Sequence, residues 1–394
     1  MRTKVISCIL AAAIIFSCGS YVYVSGQKEA GAGAYEQVMN QDGFLYGINL
    51  PWLGGSYNNS YGPNHALGLG SGFSLEILDQ ALYNSKAIGF NAVRVWMFKS
   101  LQGIQFADNG DITGLDPEFL GNVKTMLDLS KEYGVNLQIT IQPHIDVSLC
   151  AGNVSKDVYD KYTQFLVKPA FRKNYIDKAV TPLLNLLKDY QENILIIDAY
   201  SEPETDVYDA SLPVGTTWEN VATVVKDIVS ATKKVMPNMV VTATSGSEGH
   251  EAIIKGEYDD LGIDLYGVTN FNDFGDVTPV RDMKVVKPVI LNTFGVETYS
   301  NTDNDFQVIS TDAFYENSKS SGYRGAFYWM YGGSNVTDAM TLIDMTGEFR
   351  PVVNTIHAAV RANRYERQGI NPSIDKPSIL YTQSAEEIRW LPTR

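Results

Sequence analysis

The sequence predicts an α/β fold of the (β/α)8 (TIM) barrel class. Eight short apolar runs suited to buried strands alternate with helical patterns, and polar or aromatic motifs stand at the C-terminal ends of most runs. The runs are Leu45–Leu50, Ala92–Met97, Val135–Gln142, Ile194–Tyr200, Met239–Thr244, Ile263–Val268, Pro288–Leu291 and Gly325–Met330. Apolar residues on both faces mark strands covered on both sides, as in a parallel sheet. Asp116-Pro117 opens an intervening helix as N-cap and first-turn proline; Phe119, Leu120, Val123, Met126 and Leu127 share its inner face, and Gly134 lies past its end. Trp218–Met236 and Val352–Ala362 show similar spacing, while the gaps before the sixth and seventh runs leave room for short helices only.

The barrel is assigned to residues 42–364. Ahead of it, residues 1–17 are expected to form a signal peptide, with Arg2 and Lys4 preceding the apolar run Val5–Phe16. Ile15-Phe16-Ser17-Cys18-Gly19 is similar to a lipoprotein box, in which Cys18 becomes the lipidated N-terminus. Ordinary cleavage near Val24-Ser25-Gly26 and a retained anchor over residues 5–24 are the alternatives, and all three export the protein. Residues 18–41 are expected to be a flexible tether, and residues 365–394, with three prolines, an extended C-terminal tail.

Composition narrows the function classes. The 394 residues are 44% hydrophobic and 19% charged, which suits a globular protein with a large core. A net charge of −14, or −16 once Arg2 and Lys4 leave with residues 1–17, argues against nucleic acid and anionic lipid surfaces as partners. Membrane contact is expected only through the N-terminal anchor. With Cys8 and Cys18 in the leader, Cys150 is the one cysteine of the body, so neither a disulfide framework nor a cysteine zinc site is expected. His65, His144, His250 and His357 lack metal-ligand spacing, and no cofactor or metal is expected.

The residues suited to chemistry share one address. The first run leads into Asn49-Leu50-Pro51-Trp52, the second contains Arg94 and Trp96, and the third ends Gln142-Pro143-His144. The fourth ends Ser201-Glu202, the sixth Thr269-Asn270-Phe271, the seventh at Thr293 and the eighth Trp329-Met330-Tyr331. Barrel active sites lie at that end. Taken singly, Glu202 would serve as a helix-start carboxylate, Trp96 and Trp329 as core, and His144 as a satisfied polar group. Together they form an acid beside indole and phenyl rings, which stack on the apolar faces of sugars. Arg94, flanked by apolar residues, needs a partner if buried.

These residues resemble the glycoside hydrolases of clan A, particularly family 5 (cellulases and mannanases), from about Phe44 to Asn363. The parts that carry the resemblance are Gly89-Phe90-Asn91-Ala92-Val93-Arg94-Val95-Trp96, Ala170-Phe171-Arg172, Glu202-Pro203-Glu204, and the strands KPVILNTFG and GAFYWMY. The resemblance implies a retaining O-glycosyl hydrolase acting on β-linked polysaccharide or oligosaccharide, with two carboxylates about 5–5.5 Å apart. It makes Glu202 the acid/base, Arg94 the arginine beside the nucleophile and Trp329 the sugar platform. Trp52, Trp96, His144, Ser201, Phe271 and Tyr331 fall among the residues expected to bind substrate.

The departures cluster. Ser201 replaces the usual asparagine before the acid/base, Thr269-Asn270-Phe271 replaces His-x-Tyr, and Thr293 replaces the nucleophile glutamate. Hydrolysis is therefore expected to be weak, altered or lost, with a non-catalytic carbohydrate-binding or scaffold protein at the cell surface as the alternative. Glu297 is the fallback nucleophile, since four residues span over about 10 Å. Asp146 and Asp273 are candidate bases for an inverting mechanism. Two expectations follow from the missing carboxylate. Arg94 should lack its partner, so that Thr293→Glu is tolerated, and Glu202 should be more fully ionised at neutral pH.

Overall fold

The computed structural model describes residues 33–51, 53, 69, 73–144, 156–208, 216–246, 250–271, 275–296, 304–332, 340–344 and 348–367. Eight parallel strands close into a barrel in sequential order: β1 (Leu45–Leu50), β2 (Ala92–Trp96), β3 (Asn136–Pro143), β4 (Ile194–Ser201), β5 (Val240–Ser245), β6 (Leu265–Asn270), β7 (Val289–Phe294) and β8 (Gly325–Tyr328). The barrel closes where Leu45 to Ile48 of β1 pair with Gly325 to Tyr328 of β8. Each predicted run contains at least half of its strand, with ends displaced by three residues or fewer.

Local chemistry sets the helix ends. Asp116 accepts from the Glu118 N–H at 2.8 Å ahead of Pro117, and Gly134 closes that helix at φ +62°. Thr217 caps Trp218–Val235 by accepting from the Asn220 N–H. Among the described residues, short helical segments alone precede β6 and β7, at His250–Ile254, Asp259–Leu261 and Val280–Asp282. An antiparallel pair, Ile104–Phe106 with Ile112–Leu115, interrupts the connection after β2 and was not anticipated from the sequence.

The expected tether needs correction. Ala34–Asp42 is a helix, and its Ala34, Tyr35, Val38 and Met39 pack on Leu45, Ala92, Leu195, Ile196, Leu265, Ile290 and Phe327. All but Phe327 of β8 belong to the N-terminal halves of their strands (β1, β2, β4, β6 and β7), so the helix covers the barrel floor. Burial of an apolar stripe outweighs the weak helix propensity that made this stretch resemble a linker. The last helix, Val352–Arg367, runs three residues past the predicted boundary; residues 368–394 and the predicted leader, including Cys18, lie outside the described residues. Inside the barrel, Phe327 fills the space left by Gly47, where a Cβ would meet its ring at 2.1 Å.

Candidate active site

Above the apolar floor the barrel interior becomes polar, and Arg94 organises it. Alternation places Ala92, Arg94 and Trp96 on one face of β2, with Ala92 in the floor layer and Arg94 one step above it. Fully buried, Arg94 donates from Nη1 to Asn49 Oδ1 at 3.0 Å and Thr293 Oγ1 at 3.1 Å. From Nη2 it donates to Asp198 Oδ2 at 2.6 Å and Ser201 Oγ at 2.9 Å. Arg94 thus ties β1, β2, β4 and β7 together. Asn49 extends the tie by donating to the Asn292 and Tyr328 carbonyls at 3.1 and 3.2 Å.

Arg94 therefore has a carboxylate partner, contrary to the expectation drawn from Thr293. The partner is Asp198, fully buried, which also accepts from Thr140 at 2.9 Å. Sequence reasoning missed it although the signal was present: Asp198 is spaced by two from Ile196, so it shares the inward face of β4. Thr293, 3% exposed, adds a neutral acceptor to the guanidinium at Nη1.

Glu202 stands at the end of β4, where its N–H donates to the Thr244 carbonyl at 2.6 Å. Its φ is +59°, a left-handed conformation that a residue with a Cβ adopts at a cost of about 1–2 kcal/mol and that turns the chain sharply off the strand. The carboxyl group, 20% exposed, accepts from Thr269 Oγ1 at 3.0 Å. His144 Nδ1 lies 3.6 Å from its other oxygen. Burial, and then the Lys99 cation, hold His144 well below the usual histidine range, so it faces Glu202 as a neutral imidazole. The His144 backbone is fixed on both sides, donating to the Ser201 carbonyl at 2.9 Å and accepting from Lys99 Nζ at 2.8 Å.

The second expectation is also overturned. Glu202 is pushed up to about 7, first by burial and then by the negative charge of Glu204, against the opposing pull of Thr269, Arg94 and Lys99. A neighbouring nucleophile is not needed to keep it partly protonated at neutral pH. This is the range in which one carboxyl group both gives and takes a proton.

The aromatic residues lie beside this acid. The Trp96 and Trp329 rings are 5.5 Å apart, His144 approaches Trp96 at 6.4 Å, and Phe271 approaches Trp329 at 6.3 Å. Trp96 and Trp329 are 8% and 7% exposed, whereas Phe271 is 38% exposed and the most open ring of the group. Tyr331 is not brought into this cluster. It is buried, and its hydroxyl accepts from Asn84 at 2.8 Å in the helix Leu75–Ile88. Trp52, Glu297, Asp146 and Asp273 lie outside the described residues. Among the described residues no group of three or more His, Cys, Asp or Glu side chains is arranged to hold a metal.

The fold has known counterparts. The β-mannanase of the blue mussel Mytilus edulis superposes with a TM-score of 0.58 at 16% identity, covering 83% of this chain and 94% of that one. The exo-β-1,4-mannosidase of Opitutaceae bacterium strain TAV5 gives 0.63 at 15% identity, covering 82% of this chain and 60% of that one. A GH5_18 variant from Streptomyces cattleya, in complex with Manβ1-4GlcNAc, gives 0.60 at 14% identity, covering 82% and 81%. No protein-family model and no curated protein sequence matches the chain. The chain thus shares the closed (β/α)8 fold with these solved structures.

Proposed function

We propose that this protein engages β-linked polysaccharide or oligosaccharide of the mannan class at the C-terminal end of its barrel, with Glu202 as the group that exchanges protons with the glycosidic oxygen. The observation that carries the reading is Glu202 itself. It is a partly exposed carboxyl group pushed up to about 7, at the mouth of the barrel beside the Trp96–Trp329 pair. A proton donor poised near neutrality is what cleavage of an acetal requires, and indole faces are what pyranose rings stack on. The mannan assignment is supported by the titles of the structural neighbours, which name mannanases and a mannosidase.

Hydrolysis by this site is weak or altered relative to a two-carboxylate enzyme. Position 293 offers a hydroxyl held by Arg94 instead of an attacking carboxylate, and Asp198, a buried carboxylate on the same guanidinium, is committed to that arginine. The test is a panel of β-mannan, glucomannan, β-glucan and xylan, with wild type and Glu202→Gln assayed for reducing ends and for binding by calorimetry. Cleavage that Glu202→Gln abolishes supports the acid/base role. Binding of one polymer without cleavage supports the carbohydrate-binding alternative, and neither outcome with any polymer removes the reading. The same proposal places the protein outside the cytoplasm, lipid-anchored through Cys18; the mass of the mature N-terminus tests that.

A further inference from the structure

Glu204, two residues past Glu202, is 3% exposed, and both of its carboxylate oxygens are occupied. Oε1 accepts from Ser245 Oγ at 2.5 Å and from the Gly246 N–H at 2.7 Å, and Oε2 accepts from Tyr258 OH at 2.6 Å. All three partners are donors. These three donated bonds favour the carboxylate form, against burial, which pushes the Glu204 carboxyl group up. The shell of donors also has a mechanical effect. Ser245 ends β5 and Gly246 follows it, and Tyr258, packed on Trp218 at 5.5 Å, belongs to the connection before β6. The turn that carries Glu202 in its left-handed conformation is therefore clamped to the neighbouring strand through Glu204. Gly246 lies between the two acids: its N–H is bound by Glu204, and a Cβ built on it would lie 3.7 Å from the Glu202 side chain.

We propose that Glu204 is a positioning residue for Glu202, a buried anion that locks the Glu202-Pro203 turn onto β5 and supplies the like charge facing the Glu202 carboxyl group. The inference rests on the proton-exchange role given to Glu202 above. The other groups facing Glu202 do not supply that charge. Arg94 and Lys99 are cations, Thr269 donates a hydrogen bond, and His144 is neutral. Asp198 on β4 is cancelled by Arg94. Glu204 is the second-largest contributor to the raised Glu202 value, after burial. It takes the electrostatic part that an anionic nucleophile plays in a two-carboxylate site, without standing where it could attack sugar.

The Glu202 carboxyl signal, assigned by its disappearance in Glu202→Gln, is titrated by NMR in the full chain labelled at the glutamate carboxyl carbon. Wild type is expected to titrate near 7, and Glu204→Gln, which keeps the shape and removes the charge, is expected to move that midpoint down toward the ordinary glutamate range. The Tyr258 and Ser245 hydroxyls rotate to accept from the new amide, so the fold is expected to survive, as near-UV circular dichroism will show. Tyr258→Phe is the second arm. Deleting one donor weakens the Glu204 anion, so the Glu204 midpoint is expected to rise while that of Glu202 falls, opposite shifts that a purely structural role does not produce. A Glu202 midpoint unmoved in both folded variants overturns the assignment. A shifted midpoint in a protein that neither binds nor cleaves any β-glycan keeps Glu204 as positioning residue and removes the glycan reading; bound glycan with an unmoved midpoint does the reverse.

Discussion

Thr293→Glu puts a second carboxylate beside a cation that already has one. Arg94 and Asp198 are both fully buried and 2.6 Å apart, and Thr293 Oγ1 is 3.1 Å from the same guanidinium. The new charge would share one arginine with Asp198, leaving a net negative charge in the barrel interior. An uncompensated buried charge costs about 3–5 kcal/mol, and the extra methylene and carboxyl group cost about 1–3 kcal/mol more in packing. Thr293→Gln isolates the packing share. Asp198→Asn strands Arg94 and is expected to lose about 3–5 kcal/mol by the same argument. The double variant Asp198→Asn/Thr293→Glu restores one cation to one carboxylate, so it should retain only the packing loss of about 1–3 kcal/mol. Urea unfolding at pH 7.5, followed by tryptophan fluorescence and far-UV circular dichroism, compares wild type, the two single variants and the double variant as one double-mutant cycle, with Thr293→Gln beside them. Additive losses in the double variant, or a Thr293→Glu protein as stable as wild type, would show that Asp198 is not the counterion the geometry makes it. If the glycan reading holds, the double variant is also the one expected to gain hydrolysis of β-mannan, because it alone combines a carboxylate at 293 with a balanced interior.

Three further outcomes follow from the same geometry. Glu202 rises from 4.5 to about 7 on folding, so the folded state binds the extra proton, and the stability this brings is complete below about pH 4.5 and lost as the pH climbs through 7. Glu202→Gln removes that dependence, and its stability relative to wild type should improve by about 3 kcal/mol between pH 4.5 and 8, read by parallel urea melts; parallel curves would place Glu202 in an ordinary solvated setting. Trp329→Ala removes a ring packed against Trp96 and Phe271 and should weaken oligosaccharide binding at least about tenfold by calorimetry, with Trp329→Phe retaining part of it; unchanged affinity would move the glycan away from this cluster. Tyr35→Ala opens the floor layer and should lower the unfolding free energy by about 3 kcal/mol, whereas a neutral result would return residues 34–41 to the role of tether.

The sequence by itself determined the barrel. Buried parallel strands are local apolar runs, and capped helices are local patterns, so Ile194–Ser201 and Pro117–Tyr133 were legible without neighbours. It also determined the address of the site, because strand C-termini in a barrel converge, and so Arg94, Glu202, Thr293 and Trp329 belong to one end. What it left open was pairing. Asp198 and Arg94 lie 104 positions apart along the chain, and only closure of the sheet shows that the second carboxylate of this interior comes from β4 instead of β7. Tyr331 stands next to Met330 in sequence, yet its side chain turns to Asn84 among the helices, since residues beyond the last strand no longer alternate. The floor helix was hidden for the opposite reason: Ala34–Asp42 has little pattern of its own and gains its stability from the apolar strand ends it covers. Desolvation completes the account. The proton affinity of Glu202 depends on burial, on Glu204 and on the cations Arg94 and Lys99 from elsewhere in the chain, a sum over neighbours in space that no local stretch of sequence contains.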